Sequence, residues 1–325
     1  MDKPLVTVLL TVYNRPSVVR TVNSILNQTY KNIDLLIVDN ASTDNTCDEI
    51  RKINDDRIRL LINEKNGGQT YSLIRGINNI KGKYIARIDA DDIALPDRIE
   101  KQVDFLEKNP EYVLCGSWVQ YINDDDQYTL LMKMPTSDIG LRTMQMVTCG
   151  MYHPAAMYRT STIKDNNINY DPDIYMAEDY EMWRKLLQYG KGLNLPEALV
   201  LYRRGSNNDS TTHQETMGRE SFLVRKKVVE AWENSKEKKM MQKVISIEEQ
   251  NKKTISDIRY IWKTYKALLK DNMDKGSDDY KIIRKYFVLK VYTASINNNT
   301  VAWARCAKVV YKKLLSIRYH IGKKH

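Results

Sequence analysis

The chain has 325 residues, is 42% hydrophobic and carries a formal net charge of +10, which allows one large folded domain with an appendage. It has no apolar run of the roughly 18 residues that a membrane-spanning helix needs, and its start, MDKPLVTVLL, lacks the basic stretch and cleavage site of a signal peptide. A helical membrane protein is thereby excluded, and a cytoplasmic location is expected.

Leu5 to Val12 (LVTVLLTV) is a short β-branched run ended by Tyr13-Asn14-Arg15-Pro16, which predicts a buried strand and a turn. Ser17 stands where a helix cap belongs, ahead of Val18, Val22, Ile25 and Leu26 at helical spacing, and Asn27 to Asn32 closes that helix. A second apolar run, Ile33 to Val38, ends in Asp39-Asn40-Ala41-Ser42-Thr43-Asp44. The pattern repeats through Ile58 to Ile62, a helix from about Thr70 to Ile80, and the run Gly82 to Ile88. Such alternation implies right-handed βαβ units and a mostly parallel sheet, with polar loops at the strand ends.

The run ending at Ile88 leads into Asp89-Ala90-Asp91-Asp92, three carboxylates in four residues. Hard oxygen ligands in this density suit Mg²⁺ or Mn²⁺, at the sheet edge where open parallel sheets place ligands. Taken alone, a solvated acidic turn would account for the same residues. Leu95-Pro96-Asp97-Arg98 then starts a scaffolding helix with Ile99, Val103 and Leu106 on one face. Ala177-Glu178-Asp179-Tyr180 leads another, EDYEMWRKLLQYG, with Met182, Leu186 and Tyr189 toward the core. Its two leading carboxylates would be favoured by the helix dipole even without chemistry. Cys47, Cys115, Cys149 and Cys306 show no CxxC pairing or metal-ligand spacing and are read as reduced thiols.

These segments resemble the family 2 inverting glycosyltransferases of GT-A fold. The resemblance is carried by VLLTVYNRP, SILNQTYKNIDLLIVDNASTDNT, NGGQTYSLIRGI, GKYIARIDADDIALPDRI and AEDYEMWRKLLQYG with LYRR after it, in family order over residues 4 to 205. It implies a GT-A catalytic domain over 1–215, a Rossmann-like, mostly parallel α/β sheet flanked by helices, and leaves 216–325 as a basic helical C-terminal region. The implied activity is inverting, metal-assisted transfer of a sugar from a nucleotide-diphosphate donor to a glycan or lipid-linked saccharide hydroxyl, as in bacterial polysaccharide synthesis. The implied metal is Mn²⁺ or Mg²⁺.

The resemblance also implies site residues. The nucleoside falls to Thr11, Tyr13 and Asn14 after the first strand and to Asp39 and Asn40 after the second. A tyrosine ring stacks on a pyrimidine and a carboxylate or amide oxygen accepts its N3–H, although Tyr13 is equally readable as a structural turn aromatic. Many relatives have two acidic residues where this chain has Asp39-Asn40. The neutral amide discriminates less sharply among bases, so a UDP-sugar is favoured, with dTDP- and GDP-sugars as alternatives. Asn66 and Gly67, before Gly68, border the nucleoside and donor sugar in relatives; an ordinary glycine turn is the plain alternative.

Asp89, Ala90 and Asp91 match the DxD segment, with Asp91 as direct metal ligand, Asp89 as ribose or metal contact and Asp92 orienting the loop. Asp179 matches the general base that meets the acceptor hydroxyl, and Glu178 is the second choice. His153-Pro154-Ala155 with Arg159 resembles an HPxxxxR segment bordering the acceptor pocket, which places His153 at the acceptor or metal unless it is a core histidine. Where many relatives read Tyr-Arg-x-His, this chain reads Tyr202-Arg203-Arg204-Gly205. The third metal ligand is missing there, and the diphosphate falls to Arg203, Arg204 or His213.

Charge is uneven. Residues 1–215 hold 25 Lys+Arg against 30 Asp+Glu, net −5, and residues 216–325 hold 26 against 11, net +15. Trp303, Ala307, Val310, Leu314, Ile317 and Ile321 form one helical stripe, with Arg305, Lys308 and Lys312 opposite. This predicts peripheral attachment to an anionic membrane surface, on the inner face of the cell membrane; packing on the catalytic domain or on a partner helix are the alternatives. Asp124-Asp125-Asp126 reads as a solvated turn. No nucleic-acid motif is present, so no nucleic-acid partner is expected, and the sequence leaves the oligomeric state open. A nucleotidyltransferase is the alternative enzyme, but TVYNRPS is a poor triphosphate-gripping loop. An idle nucleotide-sugar binding module is the non-enzyme alternative, and intact Asp91 and Asp179 argue against it.

Overall fold

The computed structural model describes residues 3–204, 213–250 and 253–296. Strands β1 (Val6–Val12) and β2 (Ile33–Asp39) are buried at every residue, as continuous apolar runs must be when a parallel sheet is covered on both faces. β1 pairs in parallel with β2 and with β4 (Tyr84–Asp89), and β3 (Ile58–Ile62) extends β2. Val8, Leu10, Leu35 and Ile88 face a core built with α1 (Val18–Leu26) and α4 (Arg98–Lys108). Leu9, Leu36 and Ile85 face the other side, against α3 (Gly68–Ile77) and α7 (Glu178–Leu186). Helix α2 (Thr46–Arg51) follows β2, and the two short helices α5 (Asp138–Gln145) and α6 (Thr160–Asp165) precede α7.

The sheet continues beyond the strands that the sequence predicts. Its order is β3-β2-β1-β4-β8-β6-β9-β5, with β7 on β6, where β5 is Ile93–Ala94, β6 Tyr112–Ile122, β7 Tyr128–Met132, β8 Met157–Arg159 and β9 Lys191–Arg203. β5, β7 and β8 are antiparallel to their neighbours over short registers, and the remaining pairs are parallel over longer ones, so the sheet is mostly parallel by paired residues, as expected. β9 carries Pro196 inside a strand, where a missing N–H would break the ladder. The register jumps there from Ser117↔Leu195 to Trp118↔Ala198, placing the proline in a bulge.

Two local expectations are corrected. Ser17 sits at the start of α1 with helical dihedrals, φ −65° and ψ −7°, and its side chain makes no cap bond, because capping requires an extended residue there. The Arg15 carbonyl instead accepts from Val18 N–H at 3.0 Å. Tyr189 is 50% exposed rather than in the core, since α7 ends at Leu186 and the helical phase is lost beyond it.

The chain divides into two units, with one boundary between Val224 and Arg225 and with Arg142–Thr148 grouped in the second. Helices α8 (Gln214–Glu230), α9 (Ser235–Glu248), α10 (Ile255–Asn272) and α11 (Asp278–Ile296) follow β9. Asn234 caps α9 and Thr254 with Asp257 forms a capping box on α10. Met241, Val244, Ile258, Tyr265, Leu268 and Phe287 are buried in the second unit, with the Tyr265 and Phe287 rings 4.5 Å apart. Among the described residues no helix is long and apolar enough to cross a membrane. The stripe from Trp303 to Ile321 lies outside the described residues, as does Cys306; Cys47, Cys115 and Cys149 are free thiols.

Candidate active site

Parallel register brings the ends of three strands together, since Val12 pairs with Asp39 and Thr11 with Asp89. The loops after β1, β2 and β4 therefore share one edge of the sheet. The first two are laced together. Asn14 N–H donates to Ser42 Oγ at 2.9 Å, Thr43 N–H to Asn14 Oδ1 at 2.8 Å, and Arg15 N–H to Thr46 Oγ1 at 2.7 Å. Asn14 and Ala41 hold φ of 44° and 61°, a strained region for residues other than glycine and one that clusters at functional sites.

Asp39 is buried, and its oxygens accept from Ser42 N–H at 2.9 Å and Ser42 Oγ at 2.5 Å. Burial first, then the Asp39 charge, pushes the neighbouring Cys47 thiol up to about 11. Asn40 Oδ1 accepts from Asn63 Nδ2 at 3.1 Å and Gly67 N–H at 3.0 Å, while its Nδ2 donates to Asn66 Oδ1 at 2.7 Å. Both oxygen lone pairs of Asn40 are occupied, and its side chain ties the β2 loop to the start of α3. Tyr13 is 44% exposed. Gly67 and Gly68 are more than a loose turn. A Cβ on Gly67 would lie 2.6 Å from the Tyr71 ring, and one on Gly68, at φ 84°, 2.9 Å from the Tyr175 ring.

The acidic loop is held from beneath. Thr21 Oγ1 of α1 donates to the carbonyls of Ala90 and Asp92, at 3.0 and 2.7 Å. Asp92 is fully buried, accepts from Arg203 N–H at 2.8 Å, and sits well above the usual carboxylate range through burial and then the charges of Asp89 and Asp91. Asp91 lies 3.3 Å from Arg15 and is also raised, by burial first and then by Asp89. Asp89 accepts from Arg87 at 2.6 Å, and the same buried guanidinium donates to Thr11 Oγ1 at 3.0 Å. Thr11 thus braces Arg87 by accepting from it.

Among the described residues no three His, Cys, Asp or Glu side chains converge as a metal-ligand set. Asp89 and Asp91 nonetheless repel each other in a buried setting, a conflict that a divalent cation relieves. Two carboxylates fit an ion that takes its remaining ligands from water and substrate phosphates.

Arg203 is held by protein acceptors. Its guanidinium donates to the carbonyls of Asp91 at 3.1 Å and Asn123 at 2.7 Å and to Asp126 Oδ1 at 2.6 Å. It is a strut between the acidic loop and the 123–126 turn. Arg204 is exposed, with its guanidinium over the Tyr121 ring at 5.4 Å. His213 is exposed beside Tyr175, rings 6.2 Å apart.

The start of α7 supplies the two carboxylates. Glu178 is buried and pushed up to about 7, chiefly by burial and also by the Asp89 charge. Asp179 is more exposed and pushed up to about 6 by burial and then by Glu178. Its oxygens accept from Tyr180 N–H at 2.6 Å and from Cys149 Sγ at 3.6 Å. His153 is buried, 2.9 Å from Tyr170 Oη and 3.5 Å from Glu178 Oε1. Burial and the nearby Arg87 hold its imidazole down at about 4. Both ring nitrogens face protein groups, and the neutral imidazole packs against Glu178.

Arg87, Arg15, Gln69 and Cys149 escape a reading of the sequence alone. Gln69 Nε2 reaches Glu178 Oε1 at 3.3 Å and joins the α3 start to the α7 carboxylates. The NGGQ segment was the available signal, but it could not reveal a partner 109 residues away.

The family model described as Glycosyl transferase family 2 matches residues 7–166. An uncharacterized glycosyltransferase of Haemophilus influenzae is 34% identical over 221 residues, 65% of this chain and 68% of that protein. The Escherichia coli protein WfaP, a UDP-Glc:alpha-D-GlcNAc-diphosphoundecaprenol beta-1,3-glucosyltransferase, is 29% identical over 68% of this chain and 86% of its own length. In three dimensions the chain is similar to residues 1–349 of S. aureus TarS in complex with UDP-GlcNAc, with a TM-score of 0.60 at 14% identity, over 99% of this chain and 93% of that one. The shared architecture is the GT-A fold.

Proposed function

The chain belongs to glycosyl transferase family 2, and we propose that it transfers a sugar, with inversion, from a nucleotide-diphosphate donor to a hydroxyl of a lipid-linked saccharide. The observation that carries this reading is the pairing of the acidic loop with two α7 carboxylates raised to about 6 and 7, close enough that Asp89 acts on Glu178. A base titrating just below neutrality is ionised at pH 7 and still basic enough to take a proton in the transition state.

In this reading Asp179 takes the acceptor hydroxyl's proton as oxygen attacks the anomeric carbon and the nucleoside diphosphate departs from the opposite side. Tyr180 N–H and Cys149 Sγ orient that carboxylate, and neutral His153 supports its neighbour Glu178. Asp89 and Asp91 would hold Mn²⁺ or Mg²⁺ together with the donor diphosphate, and the ion supplies positive charge to the leaving group. Arg15 and Arg204 are the nearby cations for the phosphates. Tyr13 offers its ring to the base, and Asp39 is the carboxylate beside it once the Ser42 hydroxyl turns aside. A UDP-sugar is favoured, with dTDP- and GDP-sugars as alternatives. WfaP's activity on a lipid diphosphate supports the same class of acceptor, and the positive excess of 216–325 supports attachment to an anionic membrane surface.

The test is a thermal-shift screen of UDP-, dTDP- and GDP-sugars with and without Mn²⁺, followed by transfer to a diphosphate-linked lipid saccharide with the anomeric configuration read by NMR. A selective donor stabilises by mass action. Retention of configuration would refute inversion, and release of pyrophosphate from a nucleoside triphosphate would favour a nucleotidyltransferase.

A further inference from the structure

Glu220 lies on α8, beyond the segments that resemble the family, yet it is only 6% exposed. One oxygen, Oε2, accepts the backbone N–H of both Tyr175 and Met176, at 2.9 and 2.6 Å. Bonds from amides to a carboxylate are about twice as strong as neutral ones, and a buried carboxylate retains its place only when so satisfied. The two amides lie just before Glu178 and Asp179. No strand or helix ladder holds this stretch, so its path depends on such contacts.

The same stretch is held against the start of α3. Thr70 Oγ1 donates to the Ile174 carbonyl at 2.9 Å, the Tyr175 ring lies over Gly68, and Gln69 meets Glu178. Segment 174–177 is therefore held both by the start of α3 and by Glu220.

We propose that Glu220 is a positioning residue for the reaction. It clamps segment 174–177 so that α7 presents Asp179 and Glu178 at a set distance from the acidic loop. Its catalytic consequence rests on the glycosyltransferase reading; the clamp itself does not.

The test uses the full chain with Glu220→Ala and Glu220→Gln. Glutamine keeps an oxygen able to accept both N–H groups, whereas alanine keeps none. Small misplacements of a catalytic group lower rates strongly, so Glu220→Ala should lose about tenfold or more in kcat. Affinity for UDP, or for GDP or dTDP if one of these binds better, should stay within about twofold. Glu220→Gln should recover most of the rate. In hydrogen exchange, the Tyr175 and Met176 amides should be protected in the wild type and in the glutamine variant and should exchange faster with alanine. Wild-type kcat in Glu220→Ala, or nucleotide affinity falling in step with kcat, would overturn the proposal. So would exchange of the two wild-type amides at the rate of an open loop, a result that needs no variant to fold. If the wild type transfers no sugar from any donor, the functional reading fails while exchange still decides the clamp.

Discussion

Asp179→Asn separates stability from activity at one atom. The carboxyl is pushed up to about 6 by burial and then by Glu178, so the fold disfavours its ionised form. A rise from the ordinary aspartate value of about 4 to about 6 corresponds to about 3 kcal/mol, and partial exposure screens this to about 1–2 kcal/mol. Below about pH 4 the carboxyl is protonated in folded and unfolded chains alike, and the variant should match the wild type. As pH rises through about 6 the wild type loses this contribution, because only the unfolded chain ionises freely. Asparagine never ionises and still offers an oxygen to Tyr180 N–H. At pH 8 the variant should therefore be the more stable by about 1–2 kcal/mol.

Activity should move the other way. An amide cannot take the acceptor's proton, so turnover should fall about 10²-fold or more with nucleotide affinity unchanged. The groups facing Asp179 are Glu178, His153 and Cys149. With His153 neutral, the carboxylate pair governs the acidic limb, and the wild-type rate should rise with pH between about 6 and 7. Melts at pH 4 and 8, initial rates across that limb and calorimetry with UDP check each part. A variant less stable than the wild type at pH 8, or one turning over within a few-fold of it, would refute the reasoning.

Asp91→Asn should remove most turnover in a chelator-treated, Mn²⁺-restored assay without lowering the melting temperature, because it deletes a hard ligand whose charge burial and Asp89 already disfavour. Arg203→Lys loses the fork that reaches Asp91, Asn123 and Asp126, and denaturant titration should show a loss of about 1.5–3 kcal/mol. Deleting residues 301–325 should abolish co-sedimentation with anionic vesicles at low salt while transfer to a soluble acceptor survives, since each basic residue near such a surface contributes about 1 kcal/mol. Equal partition into neutral vesicles would refute an electrostatic anchor.

The sequence by itself determined the first half of the sheet and the residue types gathered at its edge. LVTVLLTV, IDLLIV and the run into Asp89 are local apolar patterns with polar ends, and a strand needs nothing distant to be read that way. Motif order nominated Asp91 and Asp179 for the same reason. Strands β6, β8 and β9 escaped because their pairing joins residues far apart, and β9 bulges at Pro196. The protein partners of Asn40, His153 and Arg203 became visible only in the tertiary structure. Each side chain can serve a ligand or a neighbour, and Gly67, Glu178 and Asn123 proved to be the neighbours. The raised carboxyls at 178 and 179 belong there too, because burial and nearby charge are properties of the packed chain rather than of residue type.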